Sequence, residues 1–161
     1  MLRYPISRVA MPPQKRRRPL QLDTHEYEQL AAFRRSLRGF LRFSEVEAEK
    51  GGVTAQNYQA LLALRACPEG QRVTINDLAA HLMVRHNSAV GLVDRLSRQG
   101  LVAREPAPED RRKVYLRLTA KGGRVLERLA EVHREELRRI GPQLEELLEQ
   151  IIRATGQRSK P

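Results

Sequence analysis

Apolar residues recur every three or four positions along most of this chain. Tyr27, Leu30, Phe33, Leu37, Phe40, Leu41 and Val46 predict a long first helix. It starts near Asp23 or Thr24, where Asp23 and Glu26, three residues apart, resemble a capping box. It runs to about Lys50 and is stopped by Gly51-Gly52. A second helix follows Thr54, carries Tyr58, Leu61, Leu62 and Leu64, and ends at the turn signal Pro68-Glu69-Gly70. A short third helix starts at Thr74, with Asp77 in capping-box position and Ile75, Leu78, Ala79 and Leu82 on its apolar side. Arg85-His86-Asn87-Ser88 reads as a turn leading into a helix over Ser88–Gln99, closed by Gly100. That helix sets Val90, Val93 and Leu96 on one side. Two helices joined by a turn of a few residues, the second short and amphipathic, form a helix-turn-helix pattern.

After Gly100 the period changes from helical to alternating. Leu101–Arg104 predicts one strand and Lys113–Leu118 a second, with a loop over Pro106–Asp110 between them. The result is a β-hairpin with a charged tip. Thr119 can cap a further helix carrying Val125, Leu126, Leu129, Val132, Leu137 and Ile140, which Gly141-Pro142 is expected to break. A last helix carries Leu144, Leu147, Leu148, Ile151 and Ile152 at nearly heptad period. The apolar stripes of the terminal helices exceed what one small helix-turn-helix core needs, and a two-fold partner would bury the excess. The expected fold is mainly α with a small β-hairpin wing. A winged helix-turn-helix lobe spans about 54–118, and dimerisation helices span about 24–50 and 119–155, in a single domain over 21–161.

Composition narrows the function. The chain has 161 residues, with 30 Lys plus Arg against 19 Asp plus Glu, a formal charge of +11. Such an excess implies a polyanionic partner. Aromatic residues make up only 4%, with no Trp, which argues against a module that stacks single-stranded bases. One cysteine excludes an intramolecular disulfide and any four-cysteine metal site. No apolar run approaches the roughly 20 residues that span a bilayer, and no signal peptide is legible, so a cytoplasmic protein without membrane partners is expected. Residues 1–20 read as a flexible basic arm holding Arg3, Arg8, Lys15, Arg16, Arg17 and Arg18 with no acidic residue. The arm is either solvated or adds phosphate contacts.

The stretch from Thr74 to Gly122 resembles the MarR (multiple antibiotic resistance regulator) family of winged-helix transcription factors. The residues that carry the likeness are Leu78-Ala79-Ala80-His81-Leu82, Ser88 through Leu96, Gly100-Leu101-Val102, Asp110-Arg111-Arg112 and Leu118-Thr119-Ala120-Lys121-Gly122. The resemblance implies a homodimer with intertwined terminal helices, binding a pseudo-palindromic operator in double-stranded DNA. It also implies a ligand-responsive repressor. The residue chemistry agrees. Arg85, His86, Asn87, Ser88 and Arg95 offer hydrogen bonds to a major groove, where base edges are distinguishable. Ala89 and Gly91 are small enough for close approach, and Leu92 either touches a thymine methyl or belongs to the core. At the hairpin, the resemblance assigns Arg112 to a minor groove with Asp110 orienting its guanidinium, an arrangement that narrow A·T tracts favour. Arg111 and Lys113 are expected at phosphates or in solvent.

The sensor is less legible. The resemblance implies a small aromatic or anionic effector, and Arg38, Phe40 and Tyr58 are candidates to line its pocket. Cys67 lies near Arg65, which could lower its pKa, but an idle or buried thiol is the simpler reading. His25, His81, His86 and His133 lack metal-ligand spacing, so no metal and no cofactor is expected. No nucleophile–base pair or phosphate-cradling loop suggests an enzyme. The alternative function is a non-specific or architectural nucleic-acid binder working by charge alone. A winged helix that has turned to protein partners is a further reading, disfavoured by the basic wing.

Overall fold

The computed structural model describes residues 22–68, 71–107 and 110–157, without the side chains of 110–112 and 155–157. The basic arm expected over residues 1–20 therefore lies outside the described residues. In chain order the elements are α1 (Thr24–Lys50), α2 (Ala55–Arg65), β1 (Val73–Thr74), α3 (Ile75–His81), α4 (His86–Arg98), β2 (Val102–Ala107), β3 (Asp110–Leu118) and α5 (Ala120–Gln157). They form two compact units, one of residues 44–133 and one of residues 22–43 with 134–157.

Local chemistry sets the helix ends. Asp23 and Glu26 form the reciprocal box at the start of α1, each side chain accepting from the other's backbone N–H at 2.9 and 2.8 Å. Thr54 caps α2 by accepting from the Asn57 amide, and Thr74 with Asp77 forms a second box at α3. Three helices end in the same way. The amides of Val53, Val84 and Leu101 return to the carbonyls of Ala48, Ala79 and Leu96 at 3.0, 3.0 and 2.9 Å. The residue before each sits at positive φ, Gly52 at 77°, Met83 at 54° and Gly100 at 69°. These are Schellman endings, in which the left-handed position favours glycine.

The residue 44–133 unit is the winged-helix lobe. Its core joins Leu61 and Leu64 of α2, Leu78 of α3, Leu92, Val93 and Leu96 of α4, and Val102 and Leu116 of the sheet. Ala48 of α1, with Leu126 and Leu129 of α5, belongs to the same cluster. A polar set lies within it. His133 Nδ1 donates to the Leu129 carbonyl at 2.7 Å, which leaves Nε2 to accept from the Ser44 hydroxyl at 2.8 Å, and the ring stacks on Tyr58. Every ring nitrogen is thereby satisfied, as a buried imidazole requires.

Four features depart from the sequence reading. The hairpin is part of a three-stranded antiparallel sheet in the order β1-β3-β2, with Val73 opposite Leu116 and Thr74 opposite Tyr115. A two-residue strand is too short to show a period. The expected loop over Pro106–Asp110 is mostly strand, because β2 reaches Ala107 and Asp110 pairs with it across a register shift. Helix α4 starts at His86, two residues earlier than expected.

Gly141-Pro142 does not break the C-terminal helix, since α5 runs through both as one element of 38 residues. Pro142 withholds one N–H from the carbonyl four residues back, in an exposed stretch where water can satisfy it. The flanking turns are rich in Leu, Glu, Gln and Arg, strong helix formers, and are laced by pairs such as Arg139–Glu136 at 2.7 Å.

Candidate nucleic-acid interface

Helix α4 has one inward and one outward face. Ala89, Leu92, Val93 and Leu96 are fully buried, at helical spacing. Ala89 and Leu92 are therefore core residues, a correction to their place among the groove-facing candidates, since a side chain sealed into the lobe cannot reach a base. The opposite side carries Asn87, Gly91, Arg95 and Arg98 in a row, with His86 and Ser88 at the start, all exposed except the half-buried Gly91. A Cβ built on Gly91 would meet only the Arg95 guanidinium at 3.7 Å, so the row is open to close approach there.

The start of α4 lacks a side-chain cap, and its first turn holds no acidic residue. The amides of Ser88 and Ala89 both return to the Arg85 carbonyl, at 3.0 and 3.1 Å. Helix geometry leaves the His86 and Asn87 amides without an intrahelical acceptor. Open donors, a positive dipole end and the exposed Arg85 together favour an anion.

A groove of about 220 Å³ lies beside this helix start, lined by Thr74, Ile75, Asn76, His86, Lys113 and Val114. It brings His86 and Lys113 together from different elements, with Asn76 adding an amide. Sequence reasoning missed Asn76, because its neighbours are gathered by the β1–β3 pairing. Arg98 was also missed, although it extends the row of Asn87 and Arg95 at helical period.

The wing carries further cations. Asp110, Arg111 and Arg112 belong to β3, and their side chains lie outside the described residues. Arg117 pairs with Glu105 across the sheet at 2.6 Å, and Arg104 pairs with Asp94 of α4. Both pairs are exposed and add little stability, but they fix the side chains against the lobe. Arg72 lies over the Tyr115 ring at 5.1 Å.

The Leu118–Gly122 stretch proves structural. Thr119 Oγ1 accepts from the Gly122 amide at 3.0 Å and donates toward the Gly100 carbonyl at 2.7 Å, while Lys121 donates to the Gln99 carbonyl at 2.9 Å. The start of α5 thus closes the end of α4.

This geometry of helix, turn, outward helix and paired strands is matched by known proteins. Residues 51–113 match the model of the MarR family. The AbsC protein of Streptomyces coelicolor, a MarR family transcriptional regulator, superimposes with a TM-score of 0.68 over 87% of this chain and 99% of its own, at 25% identity. Over residues 51–113 the chain is thus similar to the MarR family.

Two curated relatives are similar to about half of the chain. The transcriptional activatory protein BadR of Rhodopseudomonas palustris is 38% identical over 86 residues, 53% of this chain and 48% of BadR. The transcriptional repressor IacR of Pseudomonas putida is 32% identical over 71 residues, 44% of this chain and 42% of IacR. The matched stretch thus spans about half the length of these curated relatives. All are named as regulators of transcription, and the MarR family is one of regulators, not enzymes.

The sensor candidates are divided between the two units. Tyr58 is buried in the lobe core against His133, and burial raises its phenol pKa. Arg38 is exposed and Phe40 half-buried, both on the part of α1 that belongs to the other unit. Cys67 also departs from the reactive-thiol alternative, since burial and the Asp77 carboxylate push its pKa up. Among the described residues no group of three or more His, Cys, Asp or Glu is placed to hold a metal, and no helix is long and apolar enough to cross a membrane.

Proposed function

We propose that this chain is a MarR-type transcription regulator that binds a pseudo-palindromic operator in double-stranded DNA as a homodimer. The observation that carries the reading is the outward face of α4, where Asn87, Gly91, Arg95 and Arg98 form one row beginning at an uncapped, acid-free helix start. In this reading Asn87, Ser88 and Arg95 address base edges. Arg85, His86 and Lys113 hold phosphates, and Arg111 adds to them. Arg112 enters the minor groove with Asp110 orienting it.

The homodimer is supported by the apolar residues left exposed on the residue 22–43 and 134–157 unit. Tyr27, Leu30, Leu37 and Leu41 on α1, with Leu137, Leu148 and Ile152 on α5, are each more than a third exposed. They repeat at helical spacing, as stripes awaiting a second copy do. A small effector acts on this assembly by preferring one separation of the two α4 helices, which must lie about one DNA turn apart to engage both half-sites. Whether binding represses or activates follows from where the operator lies, and repression corresponds to an operator overlapping the promoter.

Selection from a random pool of short duplexes at moderate salt tests the reading. A palindrome with half-sites about one turn apart is expected. A pool that stays random, with affinity falling steeply as salt rises, would replace it by the charge-driven architectural reading.

A further inference from the structure

The outward face of α4 carries one residue that the lobe itself does not explain. Gly91 lies in the middle of the helix with ordinary helical backbone, since its φ is not positive as those of Gly52 and Gly100 are. Glycine is the poorest helix former after proline. A Cβ in its place would meet only the Arg95 guanidinium, at 3.7 Å, an ordinary contact. Among the described residues, nothing inside the chain therefore requires glycine there.

Arg95 gives the glycine a use. Side chains on a helix tilt toward its N-terminus, so each lies over the residue four positions earlier. The 3.7 Å separation places the Arg95 guanidinium over Gly91 in this way. The neighbouring charges are engaged. Arg104 pairs with Asp94, and Arg98 Nε donates to the Asp94 carbonyl at 3.4 Å. Arg95 is exposed, and its guanidinium has no hydrogen bond or ion pair among the described residues. A rigid fork of five donors stands free on the helix.

We propose that Arg95, lying in the notch left by Gly91, reads a guanine in each operator half-site. The inference rests on the reading of this chain as an operator-binding regulator. In the major groove guanine presents two acceptors side by side, O6 and N7, which match the arginine fork. Adenine sets an amino donor beside its N7, and neither pyrimidine offers such a pair. Glycine at position 91 lets a base edge approach the helix backbone and keeps the place of the fork clear. At a rise of about 1.5 Å per residue, the fork stands about 6 Å along α4 from Asn87. That is the length of about two base steps of roughly 3.4 Å. Asn87 suits an adenine, so the half-site should hold an A·T and a G·C pair no more than about two steps apart.

The test uses the full chain and the operator that selection from random duplexes returns. A G·C pair is expected at one position of each half-site. Replacing that guanine by 7-deazaguanine removes N7 and keeps the base pairing. It should weaken binding by the unsubstituted chain about fivefold or more and leave binding by Arg95→Ala unchanged. Selection with Arg95→Ala should return the same palindrome with that one position randomised. Gly91→Val fills the notch with a better helix former. Its midpoint in urea should equal or exceed that of the unsubstituted chain, while the guanine preference is lost. A pool that stays random would remove operator binding and this inference with it. Three results would overturn the guanine assignment and leave operator binding standing: a palindrome that keeps every base in Arg95→Ala, an equal loss on 7-deazaguanine with and without Arg95, or a guanine preference that survives Gly91→Val.

Discussion

Gly122 lies so close beneath Leu101 that a Cβ added to it would stand 2.1 Å from the Leu101 carbonyl oxygen. Nothing flexible can yield there, because the obstacle is backbone. Gly122→Ala should therefore lower stability by about 2–4 kcal/mol, at or above the usual cost of overpacking. Urea unfolding with an unchanged m-value measures it, and a loss below about 0.5 kcal/mol would contradict the geometry.

Met83 sits where the other two Schellman endings have glycine, and its side chain is 91% exposed. Removing that side chain forfeits almost no packing, while the left-handed backbone is relieved. Met83→Gly should raise stability by about 1 kcal/mol, less the greater freedom of glycine in the unfolded chain. A lower midpoint in urea would show that Met83 makes contacts that offset its strain.

The thiol of Cys67 is held up by burial and by the charge of Asp77. A raised pKa leaves less thiolate at neutral pH, and thiolate is the nucleophile. Alkylation by iodoacetamide at pH 7 should be slower than for a free cysteine, rising only at alkaline pH. By the same reasoning, Cys67→Ser should leave any effector response intact, which gel-shift assays with and without peroxide would check.

Two substitutions separate the proposed roles on DNA. Asn87→Ala should relax preference at one base pair and cost about 1–3 kcal/mol on the selected operator alone. Lys113→Ala should weaken binding to all duplexes alike and reduce the salt slope by about one unit per site. Identical behaviour of both variants on operator and random DNA would remove α4 from base reading.

Leu41 and Ile152 are 47% and 67% exposed on the proposed dimer face. Leu41→Glu with Ile152→Glu should shift the chain toward monomer in sedimentation, and operator affinity should fall far more than non-specific affinity. A dimer undisturbed by both charges would place the interface elsewhere.

Much of this architecture was legible in the sequence because it is written in short-range chemistry. Asp23 with Glu26, Thr74 with Asp77, and Gly52 and Gly100 act within a few residues of themselves, so helix ends could be read directly. What escaped depends on distant partners. Strand β1 exists only because Val73 and Thr74 meet β3, more than forty residues later. Pro142 looked like a stop because its cost is local, whereas the turns that outweigh it extend on both sides. At the candidate site, chemistry and period single out Asn87 and Arg95, and the structure leaves both exposed on α4. Leu92 could not be assigned, because a leucine on an amphipathic helix looks the same whether it meets a core or a methyl group. Asn76 was invisible because its groove is assembled by β1.

The missing cap on α4 has a thermodynamic consequence. A helix whose first amides have no acceptor frays, and in the free chain the His86 and Asn87 amides should exchange with solvent almost as fast as in an unfolded peptide. An anion seated there would supply the missing acceptors. In the proposed complex, part of the binding free energy is then helix completion, and it is released on any phosphate backbone, whatever the base sequence. Slowed exchange at these two amides would report contact with DNA as such, leaving protection farther along the helix to report the operator.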